Sequence, residues 1–273
     1  MTKFYLPNGM TNGLEVEWLH EFTLQRRFIN ALNESSKAPA SKSLYDNRFV
    51  GTLNIRLIHD EELTWKCHTY LAATDCTMAM ILNQTTHALC FDESTETPTI
   101  AESVEFNVSL TALYRFMQNF PAKEVHKVLI SVVKYVNGSY EIYASCNTDC
   151  IELALLDIVY PNVAKTVPDH ISEVTAYFSD ATLEKVLKIN NFLKGKTNAK
   201  GAVSVMIRHN GNRSNVVSLN DGDCVLVIMP VRLGKSDDEA LNNEFRYQQS
   251  WVKHMCEAKS QRITDRMDMR KAG

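Results

Sequence analysis

Met229-Pro230-Val231-Arg232-Leu233 ends an apolar run that begins at Cys224. Such a run has the length of one buried strand and is far too short to cross a bilayer. Pro230 stops it, because proline brings no N–H to a sheet ladder. Two short segments upstream give that ending its meaning. Ala73-Thr74-Asp75-Cys76 follows a strand-like run, and Tyr160-Pro161-Asn162-Val163-Ala164-Lys165-Thr166-Val167-Pro168 reads as a linker between modules.

Between these signposts the chain repeats one plan, a helix followed by strands. The first helix is expected over residues 14–33, with Trp18, Phe22, Ile29 and Leu32 on its inner face. A polar stretch, 34–43, follows it. Strands are then expected at 49–58, 64–73, 77–82 and 88–91, before an acidic loop at 92–103. The second module opens with a strand at 103–107. Its helix spans 110–120, capped by Ser109, with Leu110, Leu113, Tyr114, Met117 and Phe120 at helical spacing and Pro121 as the stop. Strands 128–136 and 140–145 form a hairpin about Asn137-Gly138, which predicts a tight two-residue turn with positive φ. A strand over 151–160 leads into the linker. The third module has a strand at 174–178, a helix at 180–193 capped by Ser179, and a basic loop at 194–201. A hairpin of 203–209 with 215–219 about Asn210-Gly211 follows, and a closing strand spans 224–231.

The three quoted segments, in this order, resemble the bacterial DNA polymerase III β sliding clamp family. Arg48-Phe49-Val50-Gly51-Thr52-Leu53-Asn54-Ile55 resembles the strand entry after a clamp half-domain's first helix, and Phe106-Asn107-Val108-Ser109 the start of a second half. Cys76 replaces the glycine that ends the family's Thr-Asp-Gly. Tyr160-Pro161-Asn162 stands for Phe-Pro-Asp, and Lys165-Thr166 for Arg-Val. The resemblance implies an α+β, sliding-clamp (DNA clamp) fold built of repeated β-α-β-β-β half-domains, with a C-terminal helical tail. It covers about residues 48–233. One full domain is expected over 1–168, in halves 1–100 and 101–168, and one half-domain over 169–233. The family has six half-domains per subunit, so this is expected to be a reduced relative, consistent with a phage or plasmid source.

The resemblance also implies sites. A pocket for short peptides of polymerases or repair proteins would draw on Thr74, Cys76, Ala79, Pro161, Lys165, Thr166, Met229, Pro230, Val231 and Arg232. The helices of clamp rings line the hole, so their cations are expected to meet double-stranded DNA through phosphates, without sequence preference. Arg26, Arg27, Arg115, Lys123, Lys127, Lys185, Lys188, Lys194, Lys196 and Lys200 are the candidates. The last five lie opposite an apolar face of Leu183, Val186, Leu187 and Leu193. Family rings close with twelve half-domains, which implies a homo-oligomer: a tetramer if this chain forms a ring, otherwise a dimer. The rival reading keeps the fold but makes the protein a non-ring regulator of a mobile element, either a decoy for clamp-binding peptides or a transcriptional adaptor.

Composition sets bounds on all of this. The 273 residues carry a formal net charge of -3 with 22% charged side chains, an ordinary soluble surface whose local basic placement decides nucleic-acid binding. The start, 1–13, holds turn residues and no leader-like apolar segment. Seven cysteines (Cys67, Cys76, Cys90, Cys146, Cys150, Cys224 and Cys256) include no CxxC pair, so neither a disulfide framework nor a metal site is expected. No phosphate loop, nucleophile elbow or ligand constellation appears, so neither an enzyme nor a cofactor is expected. A reduced, cytoplasmic, nucleoid-associated bacterial protein is the expectation. The tail, 234–273, is expected to hold a weakly amphipathic helix with Leu241, Phe245, Val252 and Met255 on one stripe, Trp251 beside it, and Arg262, Arg266, Arg270 and Lys271 at its end.

Overall fold

The computed structural model describes residues 16–37, 49–59, 67–84, 103–167, 176–193, 205–208, 213–219, 223–231, 239, 243, 246 and 247. The chain divides into two compact units, residues 1–230 and 231–273.

The first element corrects the sequence reading. Residues 14–33 are not one helix: β1, Val16–Gln25, is a strand, and α1, Arg26–Ser35, follows directly. Trp18, Phe22 and Leu24 face the core from β1, with His20 on the same side. Every second residue points inward, which is strand geometry. Trp18 and Phe22 satisfy a helical i,i+4 spacing as well as a period of two, so the two patterns coincide over this short span. The β-branched and aromatic content of Val16-Glu17-Trp18-Leu19-His20-Glu21-Phe22-Thr23 favours the strand.

The remaining elements follow the repeated plan, except that the strand expected at 174–178 is not one over its described residues, 176–178, where Tyr177 alone forms a bridge. The first module continues with β2 (Thr52–His59), β3 (Cys67–Thr74) and β4 (Met78–Asn83). The second has β5 (Val104–Ser109), α2 (Leu110–Gln118), β6 (Lys127–Tyr135), β7 (Tyr140–Cys146) and β8 (Asp149–Glu152). The third has α3 (Asp180–Leu193), β9 (Met206–Arg208), β10 (Asn215–Ser218) and β11 (Cys224–Ile228). Ser109 caps α2, its hydroxyl accepting from Ala112 N at 3.1 Å.

Two smaller corrections concern turns and ends. The β6–β7 turn has three residues, not two. Gly138 N donates to Tyr135 O at 2.8 Å, Tyr135 N donates to Ser139 O at 2.9 Å, and Gly138 holds φ +84°. Asn137 instead uses its side chain, whose Oδ1 accepts from Ser139 N at 2.9 Å. The strand expected over 151–160 is short: β8 ends at Glu152, and Leu155 forms an isolated bridge to Val108. The expected strand 88–91 and the Asn210-Gly211 turn lie outside the described residues. So does the tail, except that residues 239, 243, 246 and 247 are helical.

Sheet order exposes the plan of the fold. One sheet runs β1-β6-β7-β8 and the other β5-β2-β3-β4-β11-β10-β9. The first strand of each of the first two modules therefore lies in the other module's sheet: β1 pairs antiparallel with β6, and β5 with β2. The third module joins the first through β11 and β4, with Ile228 opposite Met78 and Val227 opposite Ala79. The helices cover the sheets, with α1 packed between α2 and α3. One core spans all three modules, from Trp18 and Phe28 through Leu113 and Ile130 to Val186 and Leu226.

Candidate functional site

The β3–β4 turn is built by Thr74 and Asp75. Asp75 Oδ1 accepts from Thr77 N, Thr77 Oγ1 and Met78 N, each at 2.8 Å. Thr74 Oγ1 donates to Met78 O at 2.7 Å and accepts from Cys76 N at 3.0 Å. These bonds hold Cys76 at φ +72°, the left-handed conformation that glycine takes without steric cost. The sequence departs from glycine here, but the turn keeps the backbone geometry that glycine favours.

Sheet pairing then brings the chain's closing segment to this turn. Below the β4–β11 ladder, Met229 N donates to Thr77 O at 2.9 Å. The linker arrives from the other side: the 3-10 turn Val163–Thr166 packs on β4. Ala72, Ala79, Tyr160 and Val163 form a small buried apolar cluster, rimmed by Phe49, Ile81 and Ile158. Tyr160 meets Phe49 edge-to-face at 5.7 Å, and burial pushes its phenol pKa up. The Tyr160 hydroxyl lies by the Thr74 backbone but makes no hydrogen bond of normal geometry.

The expected pocket residues therefore divide by depth. Thr74 and Ala79 are buried, Cys76, Pro161 and Pro230 are half-buried, and Lys165 and Thr166 are exposed. Met229 is 42% exposed, a large apolar side chain open to solvent beside a buried cluster. Val231, which begins the second unit, is also exposed, and Arg232 lies outside the described residues.

The basic candidates fall into two groups. Arg26 and Arg27, at the first turn of α1, reach the carboxyl ends of the neighbouring helices. Arg26 Nη2 donates to Met117 O in the last turn of α2 and, at 2.8 Å, to Phe120 O two residues beyond its end. Arg27 Nη1 donates to Leu193 O, the last residue of α3, at 3.2 Å. Cations there satisfy orphan carbonyls and complement the negative end of the helix dipole. Lys185 is also tied inward: Nζ pairs with Asp75 Oδ2 at 2.5 Å and donates to Lys37 O at 2.7 Å. Arg115, Lys123, Lys127 and Lys188 are exposed. Lys188 pairs along its own helix with Glu184 at 2.9 Å, which raises its pKa. Lys194, Lys196 and Lys200 lie outside the described residues.

In the sequence Asp75 belongs to a motif without a role of its own. The structure makes it the joint between the turn and α3, with its side chain 1% exposed. An aspartate two and three residues ahead of turn N–H groups is the signature of such a turn. Tyr160, expected in a linker, forms part of the apolar floor. Among the described residues no group of His, Cys, Asp or Glu is arranged to hold a metal ion, and no helix is long and apolar enough to cross a membrane.

By sequence, no family model and no curated protein matches the chain. By structure, it is similar to a DNA polymerase sliding clamp from Pseudomonas aeruginosa solved with a ligand. The match has TM-score 0.50 and 11% identity over 84% of this chain and 69% of that one. The DNA polymerase III subunit beta of the same organism matches at TM-score 0.48 and 13% identity, over 78% of this chain and 66% of that one. That of Borrelia burgdorferi, in complex with a natural product, gives 0.48 and 11%, over 78% and 64%. The chain thus spans about two-thirds of the length of these clamps. It has an α+β, sliding-clamp fold.

Proposed function

We propose that this protein is a sliding-clamp-like accessory factor that receives short peptide motifs of replication or repair proteins in the cell interior. The convergence of three segments distant in sequence carries this reading. The Thr74–Ala79 turn, the linker at 160–166 and the end of β11 meet about a buried apolar cluster with Met229 open beside it. Such a site suits the aliphatic and aromatic anchors of an extended peptide.

Fluorescence anisotropy with labelled clamp-binding peptides tests it. Met229→Ala should weaken binding by about tenfold or more, since truncating an anchor costs roughly 1–3 kcal/mol. The variant should still unfold cooperatively. Unchanged affinity, or a parent that binds no such peptide, would reject the site.

The same reading places double-stranded DNA against Arg115, Lys123, Lys127 and Lys188, in a ring of four chains if one closes. A specific observation favours the second reading, a non-ring regulator: Arg26, Arg27 and Lys185 bind protein carbonyls and a carboxylate, which thins the cationic lining of the helices. Retention on nicked circular DNA and loss on linearisation supports the ring. Equal retention on both, or a sequence-preferred site, supports the regulator.

A further inference from the structure

The chain's internal repeat gives the exposed stripe of α3 its occupant. In the first two modules the halves embrace reciprocally. Strand β1 joins β6 and β5 joins β2, while α1 and α2 pack with the start of α1 bonded to the end of α2. Exchange of equivalent strands together with antiparallel equivalent helices is the relation of an approximate two-fold axis. The third module is half of such a pair. Its β11, β10 and β9 take the sheet positions of β4, β3 and β2, so β9 corresponds to β2. The outer edge of β2 is filled by β5, whereas β9 ends its sheet among the described residues.

The helices tell the same story at side-chain level. The fourth and eighth residues of α2, Leu113 and Met117, are both 0% exposed. The fourth and eighth residues of α3 are Leu183 and Leu187, and they are 37% and 56% exposed. The sequence thus keeps large aliphatic residues where α2 seals its own. On its other side α3 is properly seated, with Val186, Ile189 and Leu193 buried towards the core and α1. Asn190 borders the open stripe one turn on from Leu187, and its Oδ1 is buried without a hydrogen-bond partner. The charges flanking the stripe are self-complementary, because Glu184 and Lys188 supply one of each sign.

We propose that a second copy of this chain covers this surface, with the two third modules related by a two-fold axis. Helix α3 packs antiparallel against its mate about Leu183 and Leu187, and the outer edge of each β9 lies within the interface. The approximate symmetry inside the first pair of modules becomes an exact symmetry between chains. The third module has no matching half among the described residues, and a copy of the chain supplies one. An isologous contact of this kind closes on itself and does not propagate. It also covers the outer edge of β9, which is unpaired among the described residues, together with an exposed aliphatic stripe. The inference rests on the internal repeat and stands whether or not the protein binds DNA or peptides.

Light scattering and sedimentation of the full chain test it. The parent should run at no less than twice the chain mass of 31.0 kDa at micromolar concentration. Replacing Leu183 and Leu187 together by lysine should halve the particle mass, as should replacing both by glutamate. Each variant should keep the parent's far-ultraviolet circular dichroism, since both side chains are exposed in the single chain. An equimolar mixture of the two variants should regain the parent's mass, because opposite charges then face each other. That recovery separates a lost interface from a lost fold. A monomeric parent, variants of unchanged mass, or a mixture that stays dissociated would each overturn the proposal.

Discussion

Two sets of cations share the helical layer, and their surroundings differ sharply. Arg26, Arg27 and Lys185 point into the protein, bonded to the ends of α2 and α3 and to the buried Asp75. Arg115, Lys123 and Lys127 point to solvent. All six look alike in sequence, basic residues on or beside a helix. The first set holds the three modules in register: α1 to α2, α1 to α3, and α3 to the β3–β4 turn. The second set is free to meet a polyanion. Counting basic residues along helices therefore overstates a nucleic-acid face by the number that are already engaged.

Lys185 offers the strongest way to break that comparison. Its side chain is 15% exposed and its partner carboxylate 1%. Lys185→Met leaves Asp75 charged and buried without its cation, which should cost about 3–5 kcal/mol of unfolding free energy in urea. Adding Asp75→Asn should recover much of that loss, because the remaining Oδ1 still accepts the three turn bonds while the unpaired charge disappears. A Lys185→Met variant as stable as the parent would move Lys185 into the solvent-facing set.

A buried titratable group in the same core sharpens the comparison through pH. His20 faces inward from β1, and Nε2 lies 2.9 Å from Thr69 Oγ1 on β3. Burial pushes its pKa down to about 4 from an ordinary 6.5. The unfolded chain then binds a proton at a pH where the folded chain does not. The stability tied to neutral His20 is fully present above pH 6.5 and drains away as pH falls towards 4. The loss amounts to about 3 kcal/mol at most. Urea midpoints at about pH 7 and about pH 4.5 should separate more in the parent than in His20→Gln. Equal separation in both would mean that other groups drive the acid sensitivity.

Much of this architecture was legible in the residues. Ser109 and Pro121 bracket α2, and Ser179 marks the start of α3, so the expected and the observed α3 agree on 180–193. The β1–α1 boundary was not legible, because Trp18 and Phe22 fit both a strand and a helix period, and Gln25 at the junction makes no side-chain cap. The meeting of the Thr74 turn with Met229 followed from the resemblance and depends on the β4–β11 ladder, a pairing between strands far apart in the chain. No local pattern encodes a contact of that range. The division among the cations was hidden for a related reason. Whether Lys185 faces Asp75 or water depends on which face of α3 meets the β3–β4 turn, and the apolar residues of α3 leave two candidate faces. Leu183 and Leu187 suggest one, whereas Val186, Ile189 and Leu193 occupy the one that is buried.

The smallest expected effect on stability belongs to the solvent-facing set, and it is the most direct test of what that set does. Lys123→Ala with Lys127→Ala removes two exposed cations just beyond α2, with no change to the core. Surface substitutions of this kind stay within about 0.5 kcal/mol, so the urea midpoint should hardly move. Binding to a duplex of arbitrary sequence should nevertheless weaken and become less salt-sensitive. Every lysine withdrawn from a phosphate lowers the slope of log affinity against log salt by about 0.9, so the pair should lower it by about 2. A fall in affinity with an unchanged slope would mean that the lysines act through shape and not through phosphates. An unchanged affinity would leave Arg115 and Lys188, of the exposed cations expected from the sequence to meet DNA, still to be tested.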